Sequence, residues 1–545
     1  MLTIKGIHAS KVDWAHLPMS DLALGCAMDC NYTLHLEDKI RKGMEKDGVT
    51  SAYDKVLNEV ILIVGGMERR GIKANTNHVK VLEAQLTEEI NRLRKILDTS
   101  SPIPGAGYTP HSIIEILFTD EKDDDGNGGF GLEPLEWNIL SKLPKINQEN
   151  LQKIRDNIFS KTRATPKEIL GAEFIDVYLS WKKRVKQRGD YVYGVTKALE
   201  YNQDGRIYSQ YNFNIAKTGR LSNSSYSITK LEEGKNKGSL VNKKKNKGVS
   251  FHTLPRPEDD DDVDPEALSI NLRSIMGADD GNVFISADYS AAEVRVLAHC
   301  TQDVNLLAAF ESGEDLHKFT ASLIFKKPIE FITKQERQIA KSVTFLIVYG
   351  GGPTKLASQI KRSVSFCKQI FKKYFEAFPG VPRWIEAQRG EIKRTGYATS
   401  LFGRRRRLPN VNSPLKAYQE RALRQGVNFI IQSSASDLML HSIWRLHTLS
   451  RKHGIALDLV ATVHDSLEIQ APVESYARAI SLLHYCMSDL GYLKELYGWT
   501  FDVKFKVDIE AGVAFGGGVE VVSDSNLKAV NTDEIMEYYK EHAAA

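Results

Sequence analysis

The sequence predicts an α+β protein whose helices and strands are segregated along the chain, and three patterns predict it. Apolar residues recur at helical spacing over long stretches, roughly 51–98, 150–197 and 305–444. Strand-like runs are few: Val283 to Ile285, Asp458 to Val463, Ser466 to Ile469 and Phe501 to Ile509. Two of these runs are separated only by His464-Asp465, which forces an antiparallel hairpin and not a crossover unit.

Size and composition narrow the class. At 545 residues the chain exceeds a single core and suggests about two to four domains. Hydrophobic residues at 42% and charged ones at 26% are ordinary for a globular protein. With 73 Lys plus Arg against 69 Asp plus Glu, the net charge of +4 argues only weakly for a polyanionic partner. Five scattered cysteines argue against a disulfide scaffold and for a reducing compartment. Cys26-x-x-x-Cys30 lacks a second pair for zinc and reads as helix packing. Neither a signal-peptide pattern nor a membrane-length apolar stretch is visible, so a soluble, intracellular, cytoplasmic protein with no membrane partner is expected.

In chain order, residues 1 to about 45 hold one short helical pattern, Leu22 to Leu36. Two amphipathic helices follow, joined by Gly71-Ile72-Lys73-Ala74-Asn75, and the short joint predicts an antiparallel helix pair. Turn-rich loops flank a short helix, His111 to Phe118. Gly205 to Tyr208 opens a strand-like pattern that runs into Thr218-Gly219-Arg220-Leu221-Ser222. The basic run Lys230 to Lys247 and the acidic run Glu258 to Asp264 read as solvated, mobile segments, the first also able to touch phosphates. Near the end lie a helix, Ser475 to Leu490, and a polar tail from about Val521 with a short helical pattern, Asp533 to His542, for which disorder is expected.

Three constellations carry chemistry. In Asn282 to His299 an apolar strand delivers Asp288 to a strand-to-helix corner, and Ser290-x-x-Glu293 reads as a capping box. A carboxylate there, with the backbone carbonyl of Tyr289, can ligate a hard cation, although a lone strand-end Asp is more often a turn residue. In Thr333 to Gly350 a helix starts at Thr333-x-x-Glu336, with Ile339, Val343, Leu346 and Ile347 on a core face and Arg337, Lys341, Phe345 and Tyr349 along the other side. Two cations one turn apart suit a polyphosphate, and an aromatic one turn on suits a base. The glycines Gly350 to Gly352 then supply a flexible joint. The third constellation is the hairpin with His464-Asp465 at its tip. If its carboxylate met Asp288, the pair could hold two divalent ions for in-line phosphoryl transfer.

Taken together and in this order, these motifs resemble the family A DNA polymerases, the DNA polymerase I class. Asp288-Tyr289-Ser290-x-x-Glu293-x-Arg295 resembles the first palm motif, Arg337 through Tyr349-Gly350 the fingers helix, and Val463-His464-Asp465 the last palm motif. Thr218 to Ser222 resembles the primer-binding segment, Asp315-Leu316-His317 the fingers histidine and Gly403-Arg404-Arg405 a template contact. Arg424, Asn428 and Gln432 resemble the minor-groove stripe, and the whole likeness runs from about Ser51 to Gly517.

The resemblance implies a right-hand polymerase with an antiparallel palm sheet and helical thumb and fingers. Residues 1–45 would be a remnant of the end of a 3′-5′ exonuclease domain, and 46–215 the thumb and connecting helices. Palm would occupy 216–300, with a charged insertion at 230–264, and again 431–520; fingers would span 301–430 and a tail 521–545. Asp288 and Asp465 would be the catalytic acids and, with Tyr289, the ligands of two Mg2+ ions, Mn2+ being able to substitute. His317, Arg337 and Lys341 would hold the triphosphate of a dNTP, with Phe345 at its base, Tyr349 near the template base and Glu293 as the gate against a 2′-hydroxyl. Thr218, Arg220, Arg404, Arg405, Arg424, Asn428, Gln432 and His464 would bind primer-template DNA. The implied function is primer-dependent DNA synthesis by two-metal-ion transfer, of phage or organelle type and in the host cytoplasm if phage-encoded. No intrinsic proofreading is expected, which leaves room for a separate exonuclease subunit or processivity factor.

Two departures stand out. The family's usual His-Asp-Glu is His464-Asp465-Ser466 here, leaving two acids, and Glu468 shares a strand face with Ser466 and not with Asp465. Ala291 and Ala292 replace larger residues beside the sugar position. Alternative readings are a single-subunit RNA polymerase and a DNA-binding scaffold with weakened catalysis.

Overall fold

Strand period and register place the chemistry on one face of a five-stranded sheet. In the computed structural model of the chain, its strands are β1 (Asn282–Tyr289), β2 (Asp458–Val463), β3 (Ser466–Pro472), β4 (Val507–Gly512) and β5 (Val519–Val522), in the order β2-β3-β1-β4-β5 and antiparallel throughout. Side chains alternate between faces. Val283, Ile285, Ala287 and Tyr289 of β1, with Leu467, Ile469 and Ala471 of β3 and Val507, Ile509 and Ala511 of β4, enter the main core. The intervening residues face the other way: Asp288 stands opposite Ser466 on one side and Asp508 on the other, and Ser286 opposite Glu468 and Glu510. The structure describes residues 3–4, 7–8, 18–120, 128–225, 227–233, 240–246, 248–255 and 270–522.

The helices used below are α1 (Met19–Asp47), α2 (Asn58–Arg70), α3 (Thr76–Ser100), α4 (Pro166–Lys186), α5 (Ala292–Thr301), α6 (Leu316–Phe325), α7 (Lys334–Val348), α8 (Lys416–Lys452) and α9 (Tyr476–Ser488). The apolar sheet face is covered by α5, α8 and α9, whose Val294, Leu438, Leu440, Ile480 and Leu483 share the main core with Ile339, Val343 and Leu346 of α7. Along its middle α8 is buried without a break from Ser433 to Ile443, so its own core position fixes everything it carries. A second cluster unites the start of α3 (Val79, Leu82, Leu86) with Phe284, Val460 and Val463 of the sheet. A third joins the end of α3 (Leu97) to Phe174, Ile175 and Tyr178 of α4.

Several expectations change. The joint Ile72–Ala74 is a strand paired with Arg206–Ile207 and Met276–Gly277, and it sends α2 into the main core and α3 into the others, so no helix hairpin forms. Three residues with ladder partners are stiffer than a loop, and they separate the two helices. Cys26 and Cys30 are exposed on α1, which buries no residue, so they do not serve helix packing. The last expected strand starts at Val507: Phe501, Val503 and Phe505 alternate into the core without ladder partners. Val521 belongs to β5 and not to the tail. The described parts of the basic run belong to a hairpin pairing Ser227–Glu233 with Leu240–Asn246, and the rest of the run lies outside the described residues. The acidic run Glu258 to Asp264 and the tail after Val522 lie outside the described residues.

Candidate active site

Asp288 is the last residue but one of β1, and Asp465 sits in the two-residue turn between β2 and β3. The backbone ties them: Tyr289 N–H donates to the Asp465 carbonyl at 3.3 Å. The Tyr289 ring is not free to take part, because its hydroxyl lies 2.8 Å from both Ser442 Oγ and the Met487 carbonyl, deep in the core. Only its backbone can face a ligand. His464 takes φ 59°, a left-handed value rare for a residue with a side chain, and this lets the strand reverse in two residues. Its ring lies 5.0 Å from that of His252, whose burial pushes the imidazole pKa down to about 4.

Arg220 is the hub of this corner. Its Nη2 donates to Glu293 Oε1 at 2.8 Å and to both Asp465 carboxylate oxygens at 3.2 and 3.3 Å. The Tyr349 hydroxyl, at the C-cap of α7, also favours the charged form of the Glu293 carboxyl. Burial raises the Glu293 carboxyl pKa, while Arg220 and the Tyr349 hydroxyl oppose that rise. The expected Ser290–Glu293 capping box does not form. Ala291 is the N-cap of α5 with φ 52° and no side-chain cap, and the Glu293 carboxylate turns to Arg220. A guanidinium is a stronger partner than a neutral N–H, which decides the direction. The capping box at Thr333 and Glu336 does form, as expected.

Beside this corner lies a cavity of about 440 Å³ lined by His317, Arg337, Lys341 and Phe345, together with Asp315 and Lys506. Arg337 is clasped by Asp315, with Nη2 at 2.7 Å and Nε at 3.2 Å, and Asp315 also caps α6 by accepting from Lys318 N–H at 2.8 Å. His317 Nδ1 is buried without a partner, and burial, reinforced by Arg337 and Lys341, pushes its pKa down to about 4. The Phe345 ring stands between His317 at 5.7 Å and Tyr349 at 6.3 Å, nearly parallel to the latter at 17°. A larger groove, about 1260 Å³, lies at the far end of β2 near Arg70 and Asp458, but none of the expected acids or phosphate ligands lines it.

The remaining predicted residues fall around the same cleft. Thr218 to Ser222 passes over Arg404: a Cβ on Gly219, which has φ 77°, would meet Arg404 Nε at 2.8 Å. Arg404 is itself held by Asp437, with Nη2 at 2.6 Å and Nε at 3.1 Å, and largely buried. Its guanidinium supports the segment above it, with Nε and Nη2 on Asp437. Arg405 is exposed, 4.6 Å over the Tyr397 ring and bonded to the Asp47 carbonyl. Arg424, Asn428 and Gln432 form a stripe on α8, the first exposed and the others half-buried. Asn428 Oδ1 and Arg220 Nε, like His317 Nδ1, are buried polar atoms without partners, as a cleft made for a polar ligand would leave them. Sequence reading missed Asp508, Lys506, His252 and the supporting role of Asp315. The alternation Val507-Asp508-Ile509-Glu510 signals two acids on one face, but only register puts Asp508 opposite Asp288.

Hard oxygen ligands suit this corner. Two carboxylates and a backbone carbonyl leave coordination positions for substrate oxygens, the usual pattern for Mg2+, and the Arg220 cation already rests on Asp465. Among the described residues no three His, Cys, Asp or Glu side chains gather to hold an ion by themselves. The residues fit a cation shared with a substrate.

Comparison with known proteins agrees with this geometry. A sequence model described as DNA polymerase family A matches residues 138–517. DNA polymerase I of Chloroflexus aurantiacus is 26% identical over 487 residues, covering 88% of this chain and 45% of that protein. The thermostable DNA polymerase I of Thermus thermophilus is 24% identical over 460 residues, covering 84% and 48%. DNA polymerase I of Treponema pallidum is 25% identical over 517 residues, covering 94% and 45%. The chain thus spans about half the length of the curated relatives it matches. Among solved structures, the POL domain of Pol1 from M. smegmatis, in complex with DNA primer-template and dNTP, superposes with a TM-score of 0.71 at 22% identity, covering 89% of this chain and 74% of that one. At that identity the likeness is one of fold, and it bears out the expected right-hand architecture.

Proposed function

The chain belongs to DNA polymerase family A, and from that premise we propose that it extends a DNA primer along a template with dNTPs. The observation that carries the reading is the convergence of Asp288 and Asp465 at one end of the sheet, next to a cavity lined by Arg337, Lys341 and His317. Neither carboxylate alone separates this from a turn residue; the two together, beside a pocket lined by cations, support the reading.

Asp288, Asp465 and the Tyr289 carbonyl would hold Mg2+, with Mn2+ as a substitute, and such ions supply activation of the primer 3′-hydroxyl and neutralisation of the leaving pyrophosphate. The chain's own residues do the rest. Arg337 and Lys341 bind the triphosphate, and neutral His317 offers Nδ1 to it. Phe345 supports the incoming base, and Tyr349 closes the stack on the template side. Glu293, fixed between Arg220 and Tyr349, stands at the sugar edge and leaves no room for a 2′-hydroxyl. Arg220 would release Asp465 to its cation and turn toward the primer terminus while its contact with Glu293 keeps that gate in place. Thr218, Arg404, Arg405, Arg424, Asn428, Gln432 and His464 grip primer and template. The palm is the five-stranded sheet, α6 and α7 belong to the fingers, and α3 and α4 to the thumb.

Extension of a labelled primer-template by the purified chain with dNTPs and Mg2+ tests the reading. DNA product from dNTPs supports it. Unprimed synthesis from rNTPs would favour an RNA polymerase, and binding of primer-template without any extension would favour a scaffold.

A further inference from the structure

Glu468 is fully buried on β3, on the sheet face that carries Asp288, and the chemistry above does not use it. Its cross-strand partner is Ser286, and that of Ser466, two residues away, is Asp288. Ser466 Oγ lies 2.5 Å from Glu468 Oε1 and 2.9 Å from the Val463 carbonyl oxygen. A hydroxyl has one proton and a carbonyl oxygen can only accept. With the Ser466 proton on the Val463 carbonyl, the other short contact must take its proton from Glu468. Glu468 is then a neutral carboxylic acid that donates to Ser466. Its environment agrees, since Oε2 has no partner and an ionised carboxylate with an unmet oxygen in a dry site is the costlier state. Burial pushes the Glu468 pKa up to about 8.

This relay ends on the residue immediately before the His464-Asp465 turn. The same tip is held from outside by Thr462, whose Oγ1 donates to the Ser466 carbonyl at 2.9 Å. His464 adopts its left-handed φ inside this brace. We propose that Glu468 is a positioning residue which, acting through Ser466 and the Val463 carbonyl, fixes the turn that presents Asp465 to its cation. The inference rests on the assignment of Asp465 as a metal ligand made above.

Two substitutions test it, Glu468→Met, which keeps the volume and removes the donor, and Glu468→Gln, whose amide N–H can still donate to Ser466. The first readout is Mn2+ binding by electron paramagnetic resonance to the chain held with a dideoxy-terminated primer-template and a dNTP, with the ion at Asp465 assigned by its loss in Asp465→Asn. The second is the kcat for single-nucleotide extension, with primer-template Kd and thermal melting followed in parallel. Glu468→Met is expected to weaken Mn2+ binding and lower kcat by roughly 10- to 100-fold, as loss of a residue behind a ligand usually does. Primer-template Kd and melting should stay close to those of the unmodified chain. Glu468→Gln should stay within about threefold of the unmodified chain in both readouts. Unchanged Mn2+ affinity in Glu468→Met, or equal damage from Glu468→Gln, overturns the proposal. If the unmodified chain binds Mn2+ yet extends no primer, the polymerase reading falls, while the Mn2+ comparison still decides the role of Glu468.

Discussion

Arg337 and Lys341 point into one cavity, but the structure gives them different surroundings and therefore different costs of removal. Lys341 is exposed and has no carboxylate partner among the described residues, so Lys341→Ala deletes one charge-assisted contact to the triphosphate. Such a contact contributes about 1.5–2 kcal/mol at an exposed site, or roughly 10- to 30-fold in kcat/KM for the dNTP. Arg337→Ala loses the same kind of contact and also unmasks Asp315, whose carboxylate Arg337 clasps at 2.7 Å. A bare carboxylate ~7 Å from a phosphate charge repels it by about 2 kcal/mol at an effective dielectric near 20, and by about 1–2 after allowance for solvent. Arg337→Ala should therefore cost roughly 100-fold or more. Adding Asp315→Asn to it should recover roughly 5- to 30-fold, because Asn removes the charge yet still caps α6 through Lys318 N–H. Single-nucleotide extension kinetics measure these ratios, and fluorescence anisotropy should show primer-template affinity unchanged. Equal losses in Arg337→Ala and Lys341→Ala, or no recovery from Asp315→Asn, would refute the claim that Asp315 is a masked charge in the triphosphate pocket.

Other outcomes follow from the same corner and core. Asp465→Asn should lower extension by at least ~1000-fold while primer-template Kd stays within a few-fold, since a metal ligand is lost but the backbone contact to Tyr289 is not. Glu293→Ala should raise rNTP use relative to dNTP by roughly 10- to 100-fold in competition assays, the range one hydroxyl-sized change in a pocket allows; an unchanged ratio removes Glu293 from the sugar edge. Acid should destabilise the fold through His252, His317 and His441, which burial holds near pKa 4, 4 and 3. Their folded pKa values lie below the unfolded value, so the unfolded chain takes up protons first. Stability is complete above about pH 6.5 and falls toward pH 4 by up to about 1.4 kcal/mol per pH unit for each histidine. Melting curves between pH 7.5 and 5 should show the fall, and His441→Gln should flatten it.

Everything written in local periodicity and ordered spacing was legible before any contact was known. The working and core faces of α7 follow from a 3.6-residue repeat and a capping box, and both are as expected because each depends only on neighbours within one helix. The hairpin around Asp465 was legible because two residues between apolar runs leave no other path. Motif order identified the family without any contact being known. Tertiary structure decided what depends on partners distant in the chain. A short strand between α2 and α3 becomes visible only once Arg206–Ile207 and Met276–Gly277 supply its ladder. Glu293 abandons its expected cap because Arg220, 73 residues earlier, offers a full charge. The Asp437 partner of Arg404, 33 residues further along the chain, became visible only in the fold. Register, which no single strand encodes, set Asp508 opposite Asp288 and Glu468 behind Ser466. Periodicity says which face a residue takes, and only the packed sheet says what stands across from it.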